Sequence, residues 1–242
     1  MFNELEYKYQ PIVDLNNLDV IRQEALLRTK DVGDIAGLIG TMEENGSIVE
    51  LDLHTITSAV SLLNEMPSTP VPIAVNMSAQ SLDSSAFQHE VMSHLAESNS
   101  AGLLSIEITE TSPIKSHLVA GLFVRRLKQH GCSVGMDDYG DGFSTLALAE
   151  SMQVNYLKLS SKLTTQVLTC ETAQKAVREA IRVADMLGIP IVAEHVDNAE
   201  QLVWLRNAGI AHGQGWLFAK AGELITCPDD FTSDLRKRLG SI

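Results

Sequence analysis

Short apolar runs recur along this chain, and six of them stop at a carboxylate, an amide or a lysine. They occupy residues 20–24, 72–76, 103–107, 133–138, 156–158 and 189–194, and close on Glu24, Asn76, Glu107, the pair Asp137 and Asp138, Lys158 and Glu194. Runs at 7–13 and 212–218 complete a set of eight candidate strands. Helical periodicity fills most of the intervals, at 48–63, 117–130, 172–187 and 199–208. Strands alternating with helices point to a parallel sheet under an outer layer of helices. The interval 14–19 is rich in Asp and Asn and too short for a crossover helix, so the first two strands form an antiparallel hairpin. The predicted fold is therefore α/β, a modified (β/α)8 TIM-like barrel with one antiparallel strand, forming a single domain over residues 1–242.

Such a barrel has a chemical consequence. Parallel strands deliver their C-terminal residues to one rim, and several carboxylates gathered there cannot all stay ionised without a cation. Glu24, Asn76, Glu107, Asp137, Asp138 and Glu194 are all oxygen donors, the hard ligands that Mg²⁺ and Mn²⁺ prefer. A metal site at the rim is expected. Loops beside these residues should open helices, with Ser78 or Ser81 capping the one after Asn76, and Asp197 or Asn198 capping the one after Glu194.

Composition narrows the partners. A net charge of −13 argues against binding a DNA or RNA polymer, which depends on many Lys and Arg contacts to phosphate. An anionic small substrate remains compatible if metal ions reverse the local sign. Cys132, Cys170 and Cys227 lie far apart with no paired spacing, which suggests packed thiols in a reducing compartment. The first ten residues have neither the basic start nor the apolar centre of a signal peptide, and no apolar stretch approaches the roughly 20 residues of a membrane helix. A cytoplasmic protein without membrane contact is expected.

The order of the motifs resembles one family. Gln23-Glu24-Ala25-Leu26-Leu27-Arg28 is similar to the signature that gives EAL-domain cyclic di-GMP phosphodiesterases their name. The likeness continues through Tyr9-Gln10-Pro11-Ile12, Val75-Asn76-Met77-Ser78, Glu107-Ile108-Thr109-Glu110, the segment from Asp137 to Ser144, Tyr156-Leu157-Lys158, Ala193-Glu194 and Gln214-Gly215. It implies hydrolysis of one 3′,5′-phosphodiester of cyclic di-GMP to linear pGpG, at a two-metal site taking Mg²⁺ or Mn²⁺ and inhibited by Ca²⁺. It implies Glu24, Asn76, Glu107, Asp137, Asp138 and Glu194 as metal ligands, and Lys158 and Glu194 as catalytic residues. Lys158 would orient water and offset phosphate charge. Glu110 would control the loop after the Asp137-Asp138 strand, whose glycines let backbone approach a ligand. Gln10, Leu26, Arg28 and Gln214 would bind substrate, Arg28 through its planar fork. A homodimer packed near the Asp138 loop is also implied.

The chain departs from the family pattern at several points. Residues 29–34 lack the usual aromatic and His-Pro loop, Ser160 stands where aspartate is usual, and His195 stands where glycine usually follows the glutamate. Asp197 also replaces a nearby glutamate. These differences define a competing reading, a non-catalytic EAL protein that binds cyclic di-GMP or a protein and regulates by contact. A third reading, hydrolysis of another phosphodiester, keeps the rim and changes the pocket.

Overall fold

The computed structural model describes residues 5–29, 34–66, 71–109, 114–140 and 146–240. Its centre is a closed barrel of eight strands in sequence order. These are β1 (Leu5–Asp14), β2 (Val20–Thr29), β3 (Ile73–Ser78), β4 (Leu104–Thr109), β5 (Ser133–Tyr139), β6 (Tyr156–Leu159), β7 (Ile191–Ala193) and β8 (His212–Gly213). β1 runs antiparallel to both β2 and β8, and all other pairs are parallel. The reversed strand expected from the short 14–19 interval is thus β1. In that turn, the backbone N–H groups of Asn16 and Asn17 donate to Asp14 Oδ1 and close the chain without a helix.

Ten α-helices among the described residues accompany the barrel: α1 (Ile35–Asn45), α2 (Ile48–Glu65), α3 (Ala79–Leu82), α4 (Ser85–Ala96), α5 (His117–Gln129), α6 (Leu146–Met152), α7 (Ser161–Gln166), α8 (Glu171–Leu187), α9 (Ala199–Ala208) and α10 (Pro228–Leu239). In α5, Ala120, Phe123, Val124 and Leu127 are buried, at the spacing of one helical stripe. The strands supply the other side of the same core. In β4, Leu104, Ile106 and Ile108 join that core, while Ser105 and Glu107 alternate onto the opposite face.

Sequence and structure differ at element ends. The run 212–218 yields only a two-residue β8, because the chain turns at once against β7. Gln214 N–H donates to Ala193 O, Val196 N–H donates to Gln214 O, and a Cβ on Gly215 would lie 2.2 Å from the Val196 carbonyl oxygen. Ser78 caps the short α3, but Ser84, rather than Ser81, caps α4. Asn198 caps α9 in a reciprocal capping box with Gln201, whereas Asp197 Oδ1 accepts from the Trp216 N–H. The thiol expectation holds for Cys132, which burial pushes up to about 12, but Cys227 is exposed. No helix among the described residues is long and apolar enough to cross a membrane.

One buried carboxylate ties the outer layer to the rim. Asp52 of α2 accepts from the Ser78 N–H at 2.8 Å and the Ser81 hydroxyl at 2.6 Å, just beyond Asn76. Burial is the main cause of its pKa rising to about 7, against the lowering effect of those two donors. A carboxyl with a raised folded pKa binds protons more tightly when folded, so stability falls as pH climbs from about 4 to about 7. Asp52→Asn keeps an oxygen acceptor for both donors and removes the ionisation. It is expected to stabilise the protein by roughly 2–4 kcal/mol at pH 8 and by much less at pH 5. Denaturant melts at the two pH values check this, and equal shifts at both would contradict it.

Candidate metal centre

The strand ends bring the oxygen donors around one cation. Lys158 of β6 is 0% exposed, and its Nζ lies 2.8 Å from Glu107 Oε2, 2.9 Å from Glu194 Oε1, and 3.2 Å from both Glu24 Oε2 and Asp137 Oδ1. Each partner sits on, or directly after, a different strand: β2, β4, β5 and β7. Asn76 of β3 stands opposite Glu107 in register and donates through Nδ2 to Glu24 Oε1 at 2.8 Å. Gln214, directly after β8, donates to Glu24 Oε2 at 2.8 Å and to Gln10 Oε1 at 3.2 Å.

One lysine cannot neutralise four carboxylates, and the proton affinities record the imbalance. Burial raises Glu107 to about 7, with repulsion from Glu24 and Asp137 adding to it and Lys158 opposing it. Burial likewise raises Glu194 to about 8, helped by Asp137 and Glu24. Glu24 goes the other way, because Lys158 and the amides of Gln214 and Asn76 outweigh its desolvation. Lys158 is itself disfavoured by burial, yet the carboxylates together hold it well above the ordinary lysine value.

This centre fits a divalent cation by the chemistry of its donors. Asp137, Asp138 and Glu194 each present a carboxylate oxygen within 4.8 Å of the others. Two amide oxygens, Asn76 Oδ1 and Gln214 Oε1, are buried without a hydrogen-bond partner among the described residues. Hard oxygen atoms with spare lone pairs beside excess negative charge suit Mg²⁺ or Mn²⁺. Asp138 is held at a positive φ of 49°, its N–H donates to Asp137 Oδ1, and unlike Asp137 it is exposed.

The residues expected to bind substrate flank this centre on two sides. Leu26, Gln10, Gln214, His195 and Trp216 line a cleft of about 160 Å³ that also reaches Glu24 and Glu194. Gln10 spends its Nε2 on the Ala219 carbonyl and its Oε1 on Gln214, so its amide braces the rim. Arg28 lies in a second cavity of about 280 Å³ with Asn76, Ser78 and Asp138. Its Nη1 donates to the Leu27 carbonyl at 2.7 Å. Glu110 and residues 141–145 of the glycine loop lie outside the described residues.

The departures also have positions. Ser160 is buried and caps no helix through its side chain, and Lys158 takes its partners from the four carboxylates. His195 adopts φ 51°, a left-handed conformation that glycine enters without steric cost, and its imidazole lies at the cleft. Sequence reasoning missed a layer beneath the site, formed by Arg22, Ser105 and Tyr156. Each precedes a rim residue by two positions, and that period was the available signal.

Fold and site together define a TIM-like barrel with a reversed first strand and an acidic rim able to receive divalent cations. The family model described as EAL domain matches residues 2–221, and the chain belongs to that family. It is 28% identical over 226 residues to the cyclic di-GMP phosphodiesterase NbdA of Pseudomonas aeruginosa, covering 90% of this chain but only 29% of NbdA. An uncharacterized protein of Mycobacterium tuberculosis is 30% identical over 226 residues, with 88% of this chain and 74% of the relative covered. Among solved structures, the PaMucR phosphodiesterase in complex with c-di-GMP superposes with a TM-score of 0.81 at 24% identity, covering 90% of this chain and 92% of that one. At that identity the superposition speaks to the fold.

Proposed function

We propose that this chain hydrolyses one phosphodiester of cyclic di-GMP to linear pGpG with two divalent cations, Mg²⁺ or Mn²⁺. The observation that carries the reading is the excess of carboxylate oxygens about Lys158 on the rim of an EAL barrel. Glu24, Asn76, Glu107, Asp137, Asp138 and Glu194 would hold the cations. A bound cation pair supplies the positive charge that activates water and stabilises the phosphate as the bond breaks. Lys158 orients water and offsets phosphate charge from below. Leu26, Gln10 and Gln214 shape one side of the substrate cleft, Arg28 takes a phosphate oxygen on the other, and Glu110 governs the loop after β5. A second copy of the chain is the proposed protein partner. The exposed Leu118, Val119 and Leu122 on α5 support such packing, and the protein is taken to act in the cytoplasm.

Purified protein incubated with cyclic di-GMP and Mn²⁺ or Mg²⁺ is expected to yield pGpG by chromatography. Glu24→Ala should yield none, excess Ca²⁺ should suppress the product, and gel filtration of the same sample should give a dimer. Ligand binding without product would favour the receptor reading, for which His195 beside Glu194 is the motivating feature. Product from the Glu24→Ala protein would remove the rim from the mechanism.

A further inference from the structure

A directed hydrogen-bond chain runs up the barrel interior to one oxygen of Glu107. Arg22 Nη1 donates to Ser105 Oγ at 3.2 Å, Ser105 Oγ lies 2.9 Å from Tyr156 Oη, and Tyr156 Oη donates to Glu107 Oε1 at 2.7 Å. A phenol has one proton. Because that proton goes to Glu107, the 2.9 Å contact must be a donation from the Ser105 hydroxyl to the Tyr156 oxygen. With Glu107 ionised, as a ligand to a cation must be, the order runs guanidinium to serine, serine to tyrosine, tyrosine to carboxylate. A charged donor at one end and an anionic acceptor at the other polarise every link in the same sense.

Packing holds the relay in place. Tyr156 is 1% exposed and lies with Ile12 and Val192 in a small cluster separate from the main core. The Arg22 guanidinium sits 4.0 Å from the centre of its ring, a cation over an aromatic face. On the neighbouring strand, a Cβ at Gly135 would approach the ring to 2.4 Å, so β5 leaves out a side chain where the ring needs the space. Arg22, Ser105 and Tyr156 stand two residues before Glu24, Glu107 and Lys158, which makes them the interior layer directly beneath the acidic one.

From this geometry we infer that Tyr156, held by Arg22 and Ser105, is a positioning residue that reserves Glu107 Oε2 for the cation centre. The hydroxyl occupies Oε1, leaving Oε2, the atom 2.8 Å from Lys158 Nζ, as the one turned to the rim. A buried carboxylate with one oxygen held by a hydrogen bond resists rotation, and its free oxygen is the better placed to act as donor. It presents a single hard donor at a set position, as outer hydrogen bonds do for ligands of metal centres. This inference rests on the metal-dependent reading above, and its test separates the two.

Tyr156→Phe keeps the ring, its packing and the Arg22 contact, and deletes only the hydroxyl. Mn²⁺ affinity, measured by calorimetry on the substrate-free protein, is expected to fall about 10–100-fold. With cyclic di-GMP and saturating Mn²⁺, KM should stay within about twofold while kcat falls by a similar 10–100-fold, because the hydroxyl touches the ligand set and not the substrate clefts. Arg22→Met serves as the second variant should Tyr156→Phe fail to fold. Arg22 acts on Glu107 only through Ser105 and Tyr156, so a loss of Mn²⁺ affinity of about threefold is expected, in the range of a weakened outer-shell link. A folded Tyr156→Phe protein that binds Mn²⁺ within twofold of the wild type overturns the inference, as does an unchanged Arg22→Met affinity when that variant stands in. Wild-type protein that binds Mn²⁺ yet releases no pGpG would instead overturn the hydrolase reading and leave the affinity comparison to decide this one.

Discussion

Lys158→Met is expected to destabilise the metal-free protein by about 3–5 kcal/mol and to lower turnover about 10²–10³-fold. The stability effect follows from the burial of both charge types. Nζ has no exposure and four carboxylates within 3.2 Å, so deleting it leaves Glu24, Glu107, Asp137 and Glu194 facing one another with no cation between them. Methionine fills most of the lysine's volume, which keeps the cavity contribution small and makes the loss an electrostatic one. Divalent cations supply the missing charge. Saturating Mn²⁺ should therefore raise the melting temperature of the variant by more than it raises that of the wild type. Calorimetric melts of both proteins with and without Mn²⁺ check this. Equal increments would show that lysine and metal do not share the same carboxylates.

The barrel was legible because its evidence is local and repeated. Eight apolar runs, helical stripes between them and one interval too short for a helix are properties of neighbouring residues. β1 through β6 and the reversed first strand follow from them directly. β8 was overextended because its termination depends on a contact that no local pattern carries, the seating of Gly215 against Val196. The oxygen donors at the rim were legible for the same reason as the strands, since each is the residue on which a run stops. Their mutual arrangement was not. That Lys158 would be the hub of the carboxylates, and that Gln10 would brace Gln214 and the Ala219 carbonyl, depends on distances between different strands and loops whose residues lie up to about 200 positions apart. The interior layer of Arg22, Ser105 and Tyr156 was hidden behind the same limit. Each is two residues from a rim position, but nothing in one strand says that a serine, a tyrosine and an arginine from three strands will join.

Glu194→Gln should push stability and function in opposite directions. Glu194 is raised to about 8, first by burial and then by repulsion from Asp137 and Glu24, so in the metal-free fold its charge is a cost. A carboxyl with a raised folded pKa contributes a loss of stability that grows as pH climbs from about 4.5 to about 8. Glutamine keeps an oxygen near Lys158 and carries no charge, and it relieves that loss. The variant is expected to melt higher than wild type at pH 8.5 in chelator, by roughly 1–3 kcal/mol, and to differ little at pH 5. Its Mn²⁺ affinity should fall more than about 100-fold, because one charged donor of the group with Asp137 and Asp138 has become a neutral amide, and pGpG formation should disappear with it. The wild type should show the complementary pH dependence. Metal must displace protons held by Glu107 and Glu194, so Mn²⁺ affinity should rise from pH 6 to pH 8.5 and level off above it. A Glu194→Gln protein less stable than wild type at pH 8.5 would mean that Lys158 already compensates this carboxylate in full. The rim would then hold no excess charge with which to attract a cation.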